Sequence, residues 1–148
     1  MSEADLLKKS PEAVAEQIVS AHGEESSWLD AFAEELAKRR AGQDLSRILS
    51  TWGLSASAAA RIFGVSRQAF SKWMKRGVPE ARLETISMLS AATDLLTRYL
   101  RHDRIPAVVR RPAAALGGAS LLEMVKKGQS REVLAACRSM FDFGRAHG

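Results

Sequence analysis

Residues 58–73 read A-A-A-R-I-F-G-V-S-R-Q-A-F-S-K-W, and the reading of this stretch decides the fold. Two short helices that cross steeply through a tight turn need a small residue where the second passes over the first, and Ala60 supplies it. The corner needs a residue that accepts left-handed backbone angles, and Gly64 stands four positions later. Ser66 is placed to cap the second helix. Val65, Phe70 and Trp73 should plug the gap between these two helices and the one before them. Periodicity puts Arg67, Gln68, Ser71 and Lys72, at i, i+1, i+4 and i+5, on the opposite face. Arg can donate a fork to guanine O6 and N7, Gln can pair with adenine N6 and N7, and Ser and Lys can reach bases or phosphates. The backbone N–H groups at the Ser66 end, with Lys75, Arg76 and Arg61 nearby, suit phosphate oxygens. The alternative is a plain helical corner whose outer residues only solvate it. The joint occurrence of small residue, glycine, cap, aromatic plugs and basic-polar face favours binding to double-stranded DNA.

Moving outward, the same breaker logic divides the chain. Ser10-Pro11 opens a helix that carries Val14, Ile18 and Val19 to Gly23. Ser26 or Ser27 opens a second, with Leu29, Phe32, Ala33 and Leu36 on one face, ending near Gly42. Asp44 caps a third, with Leu45, Ile48, Leu49 and Trp52 buried and Gly53 as its stop. The helices from Ser55 and Ser66 bring the number before Gly77 to five. Trp28, Trp52 and Trp73 are all assigned to the core.

Pro79 opens a long helix to about Arg101, with Leu83, Ile86, Leu89, Thr93, Leu96 and Leu100 inward and a second row at Leu95 and Tyr99. A short helix over 103–111 closes at Pro112, A-A-A-L-G-G forms a loop, and Ser120-Leu121-Leu122-Glu123 fits a capping box. Gly128 ends that helix, and Ser130 caps a last one with Val133, Leu134, Cys137 and Phe141 inward. The expectation is an all-α fold: a helical bundle with a helix-turn-helix, joined by the long helix to a small helical C-terminal module.

Composition agrees. The 148 residues are 46% apolar, enough for one compact domain or two small ones, and no stretch alternates apolar and polar residues over a strand's length. Net charge divides unevenly: residues 1–50 carry six Lys/Arg and ten Asp/Glu, whereas residues 51–112 carry eleven and four. The positive middle suits a polyanion. No secretory signal or membrane span is legible, which predicts a soluble, cytoplasmic protein. One cysteine, Cys137, and three scattered histidines, His22, His102 and His147, exclude a disulfide framework and leave no metal spacing. No nucleophile, base and orienting group cluster, so neither catalysis nor a cofactor is implied.

The helix-turn-helix stretch resembles that of the phage-repressor-like, Xre-type regulators. The chain from Leu83 to Arg145 is similar to the C-terminal part of the Xre/MbcA/ParS-type antitoxins, small bacterial proteins encoded beside a toxin. The likeness rests on the long helix E-T-I-S-M-L-S-A-A-T-D-L-L-T-R-Y-L and on R-R-P-A-A-A-L-G-G-A-S-L-L-E-M-V-K-K-G. Val108-Val109 stand where the family usually has Trp-Leu, Leu121 where it has proline, and the acidic first 40 residues have no counterpart. The resemblance implies a non-catalytic antitoxin that represses its own operon and covers the active site of a toxin partner, NAD-degrading or ADP-ribosylating in chemistry.

On that basis residues 1–42 form an N-terminal extension, 43–78 the DNA-binding region, and 79–148 the long helix with a toxin-binding and dimerisation module. Arg110 and Arg111 present two charges at a helix end; Leu116, Gly117, Gly118 and Ser120 form a turn that either touches the toxin or merely turns a corner; Lys126 and Lys127 are exposed interface candidates. The function expected is a homodimeric, operator-reading antitoxin. Two alternatives stay open: a stand-alone helix-turn-helix regulator without a toxin, and a purely protein-binding inhibitor.

Overall fold

The computed structural model describes residues 2–142, so His147 and the end of the antitoxin-like segment lie outside the described residues. Every described element is helical, and no strand occurs among the described residues. The chain divides into two compact units, Met1–Ala37 and Lys38–Gly148.

The first unit holds α1 (Glu3–Lys8), α2 (Pro11–His22) and the start of α3 (Ser26–Trp52). The sequence reading missed α1, which Ser2 and Asp5 start with a reciprocal capping box. Ser10 caps α2 as expected, its hydroxyl accepting from the Ala13 N–H at 3.2 Å. No residue of α2 is buried. Trp28 is a correction: it is 37% exposed, stacked between His22 at 3.5 Å and Phe32 at 5.3 Å between ring centroids. Leu36, expected to face inward, is 53% exposed. Every buried side chain of the described chain lies in the second unit, between Ala41 and Cys137.

The second and third helices of the sequence reading are one, α3, which passes through Gly42 and Asp44 without a break. The reason is tertiary. A Cβ on Gly42 would stand 2.6 Å from the Trp73 carbonyl oxygen, so the glycine lets two backbones meet instead of ending a helix. Ala41, Leu45, Ile48, Leu49 and Trp52 form the buried stripe of α3. It stops where expected, with the Leu54 N–H donating back to Leu49 O at 2.9 Å. Five helices do precede Gly77, because α1 replaces the helix lost by this fusion, and they are completed by α4 (Ala56–Phe63) and α5 (Arg67–Arg76).

After Gly77 the buried Val78 donates its N–H to Lys38 O at 3.0 Å, pinning the chain to α3. A 3-10 turn, Glu80–Arg82, precedes α6 (Leu83–Tyr99), so the long helix starts later than Pro79 and ends before Arg101. Ile86, Leu89, Ala92, Thr93 and Leu96 are its buried face, while Leu83 and Leu100 are only half-buried and Tyr99 is exposed. The Trp52 indole N–H donates to Thr93 Oγ1 at 3.0 Å, and that hydroxyl donates to Leu89 O at 2.7 Å, so the polar atoms between α3 and α6 are satisfied. At the rim, Arg47 bonds Asp94 at 2.9 Å and the Ser90 hydroxyl at 2.7 Å.

The remainder is α7 (Ile105–Arg110), α8 (Leu121–Lys126) and α9 (Ser130–Met140): α9 packs along α6 and α8 against α4, α7 and α9, with Val133 and Cys137 of α9 fully buried. Ser130 is a further correction, since it begins α9 rather than capping it and its buried hydroxyl has no partner among the described residues. The cause lies in α8, whose closing bonds, Gly128 N–H to Val125 O and Gln129 N–H to Met124 O, consume the link and leave Gln129 as the cap residue.

Candidate nucleic-acid interface and partner surface

The corner between α4 and α5 is built from three local signals. The Ser55 hydroxyl accepts from the Ala58 N–H at 3.1 Å and starts α4. Gly64 ends it at φ 68°, ψ 33°, with the Gly64 N–H donating to Arg61 O and the Val65 N–H to Ala60 O. This paired closure needs a left-handed residue, which glycine adopts without a Cβ clash. The Ser66 hydroxyl then accepts from the Ala69 N–H at 3.1 Å and starts α5 two residues later.

Behind the corner, Phe63, Phe70 and Trp73 form an aromatic triangle with ring centroids 5.8 to 6.3 Å apart. Phe70 is fully buried and Trp73 is 8% exposed. The Arg82 guanidinium lies 5.4 Å from the Trp73 ring, a cation over an aromatic face. With α3 against the α5 backbone at Gly42, these contacts fix how α5 is rotated and so which residues face out.

Those residues are Arg67, Gln68, Lys72, Lys75 and Arg76, all exposed, with Ser71 half-buried among them and Arg61 exposed on α4. The Ser66 hydroxyl is committed to its cap. None of the exposed cations in this set has an ion pair or a side-chain hydrogen bond among the described residues. Other arginines of this unit are engaged: Arg47 with Asp94, Arg131 with Glu84 at 3.1 Å, and Arg110 with backbone carbonyls. No acidic residue occurs between Asp44 and Glu80, so the α4–α5 surface has no carboxylate of its own segment to neutralise it. An unpaired cationic face with forked donors, held rigid from behind, can bind phosphates and read base edges.

The C-terminal candidates are placed differently. Arg111, Lys126 and Lys127 are exposed, and so are Gly117 and Gly118 in a loop closed by Gly118 N–H to Ala113 O at 2.9 Å. Leu116 is half-buried beside them. Ser120 is buried, its hydroxyl accepting from the Glu123 N–H at 3.1 Å, which is the serine half of the expected capping box. Arg110 has an intrachain task that its sequence position did not announce. Its guanidinium donates to Trp52 O at 2.7 Å, Pro106 O at 2.7 Å and Gly53 O at 2.8 Å. Two of these carbonyls belong to the end of α3, where a cation also meets the negative end of the helix dipole.

Arg110 further lines a groove of about 330 Å³ floored by Leu54, Ala58, Ile62 and Leu122 and flanked by Arg61 and Lys126. The sequence reading assigned Arg61 and Lys126 to separate surfaces; folding brings them to one. No nearby pair of residues signals this, because the lining comes from three distant segments.

Cys137 is buried, and burial pushes its thiol up to about 11. Among the described residues no group of three His, Cys, Asp or Glu side chains could hold a metal ion, and no helix is long and apolar enough to cross a membrane.

No protein-family model matches the chain, and no curated protein matches it in sequence. One solved structure has a similar fold: a chain of the crystal structure of the M. tuberculosis MbcT–MbcA toxin–antitoxin complex. The match has a TM-score of 0.55 and 22% identity over 67% of this chain and 91% of that one.

Proposed function

We propose that the chain is the DNA-binding antitoxin of a type II toxin–antitoxin pair. A homodimer reads a palindromic operator through Arg67, Gln68, Ser71 and Lys72, with Arg61, Lys75, Arg76 and the α5 N-terminus on the phosphates. The C-terminal module, through Arg111, Lys126, Lys127 and the Leu116–Gly118 turn, engages and inhibits a toxin that degrades NAD or uses it to modify a target. The observation that carries the reading is the unpaired cationic face of α5, turned outward by the Phe63, Phe70, Trp73 triangle. The fold likeness to a chain of a toxin–antitoxin complex supports the second half.

The experiment is co-expression with the product of the adjacent reading frame, alongside a reporter driven by the chain's own promoter. The proposal expects that product to arrest growth alone, this chain to restore growth, and the reporter to be repressed. Growth unaffected by the neighbour, or a reporter indifferent to this chain, contradicts the corresponding half.

A further inference from the structure

We infer that two copies of this chain pair through the outer face of α6 and α9, centred on Leu95. In the unit from Lys38 onward, the exposed large apolar side chains among the described residues are Tyr99 and Met140, at 47% and 42%. They stand at the C-terminal ends of α6 and α9, and Tyr99 stacks on Phe141 with centroids 4.8 Å apart. Next to them on the same helix pair lies a shallow hollow of about 190 Å³, with Ala91, Leu95 and Leu134 as its apolar surface and Asp94, Arg98 and Arg138 around it.

The mixed charge at the rim selects the occupant. A nucleic-acid backbone would suit Arg98 and Arg138 but would leave the leucines uncovered and Asp94 facing like charge. A uniformly acidic protein surface would suit Arg98 and Arg138 but set like charge against Asp94. A second copy related by a two-fold axis satisfies the leucines, Asp94 and Arg98 together. With the two α6 helices antiparallel, the leucines cover one another and Asp94 of each copy faces Arg98 of the other. The two reciprocal ion pairs then flank the leucines about 6 Å apart along the helix, one turn at 1.5 Å per residue. Asp94 is prepared for this: Arg47 bonds its Oδ1 at 2.9 Å, and Oδ2 has no bond among the described residues. This surface gives the proposed homodimer its seam. It rests on that reading only where operator binding is concerned.

The test is the mass of the full-length chain by sedimentation equilibrium, in the absence of DNA. Wild type is expected to show a concentration-dependent monomer–dimer equilibrium. Asp94→Arg sets like charges face to face and is expected to raise the dimer dissociation constant about tenfold or more. The double variant Asp94→Arg/Arg98→Asp restores opposite charges and is expected to return to within about threefold of wild type. Both variants lose the Arg47 pair, so the rescue separates the interface from that intrachain role. Leu95→Glu is expected to be monomeric with an unchanged helical circular dichroism spectrum.

A wild type that stays monomeric, or single and double variants that dimerise alike, overturns the inference. Masses as expected from a protein that binds its promoter no better than random DNA would leave this seam standing and refute the operator reading instead.

Discussion

Gly42→Ala sets two opposite effects against each other. Alanine in a helix interior is favoured over glycine by about 1 kcal/mol, so a glycine that merely sat in α3 would become a stabilised site. In this structure the new Cβ would stand 2.6 Å from Trp73 O and 3.3 Å from Met74 O, both backbone atoms. Neither can rotate away. Forcing a methyl into such a contact costs about 1–3 kcal/mol, and the backbone position of the obstacle puts this case toward the upper end. The net expectation is destabilisation of about 1–2 kcal/mol, which for a chain of this size lowers Tm by roughly 3–8 °C. Urea denaturation followed by circular dichroism reads it as a lower midpoint with the same slope. Relief of the contact also moves α5, so the proposed operator affinity should fall although Gly42 is buried away from the proposed reading face. A variant as stable as wild type, or more so, would refute the close approach of α3 to α5 and with it the reason for α5's fixed orientation.

Arg110→Ala removes three carbonyl-directed hydrogen bonds, two of them at the end of α3, and should lower stability by about 1–3 kcal/mol in the same denaturation assay. Arg110→Lys should recover only part of that, because one ammonium cannot reproduce the fork. Cys137 should resist thiol reagents at pH 8 in the native protein and react once urea unfolds it. Its raised folded pKa also means the unfolded state releases its proton first on going alkaline. The thiol's contribution to stability is therefore complete at neutral pH and declines as pH rises toward about 11, which pH-dependent melts would register. Lys75→Ala should weaken all duplexes alike and flatten the salt dependence of binding by about one unit, whereas Arg67→Ala should cost about 1–3 kcal/mol at one base position.

Local signals made most of the fold legible. Ser10, Ser55, Ser66 and Ser120 each cap the helix that the sequence places after it. The glycine at 64, the aromatic plugs and the inner stripe of α6 follow from short-range periodicity, which one strand of text contains in full. The failures have a common cause, which is a partner far away in sequence. Gly42 reads as a stop until Trp73 is seen against it, and Trp28 reads as core until its unit proves to bury no side chain among the described residues. Arg110 reads as a free interface cation until the end of α3 is seen beneath it. The same limit divides the site. The face of α5 comes from one helix and could be read residue by residue, whereas the groove joining Arg61 to Lys126 and the surface around Leu95 are assembled from separate segments.

The claim at the centre is that α5 discriminates between DNA sequences. It is tested most directly by equilibrium binding of the purified chain to its own upstream DNA and to a scrambled duplex of equal length, both at the same salt of about 150 mM, so that counterion release contributes alike to the two. The account predicts a preference of about a thousandfold or more for the upstream DNA, falling by an order of magnitude or more in Arg67→Ala. Equal affinity for the two duplexes, or a preference untouched by Arg67→Ala and Gln68→Ala together, would contradict it.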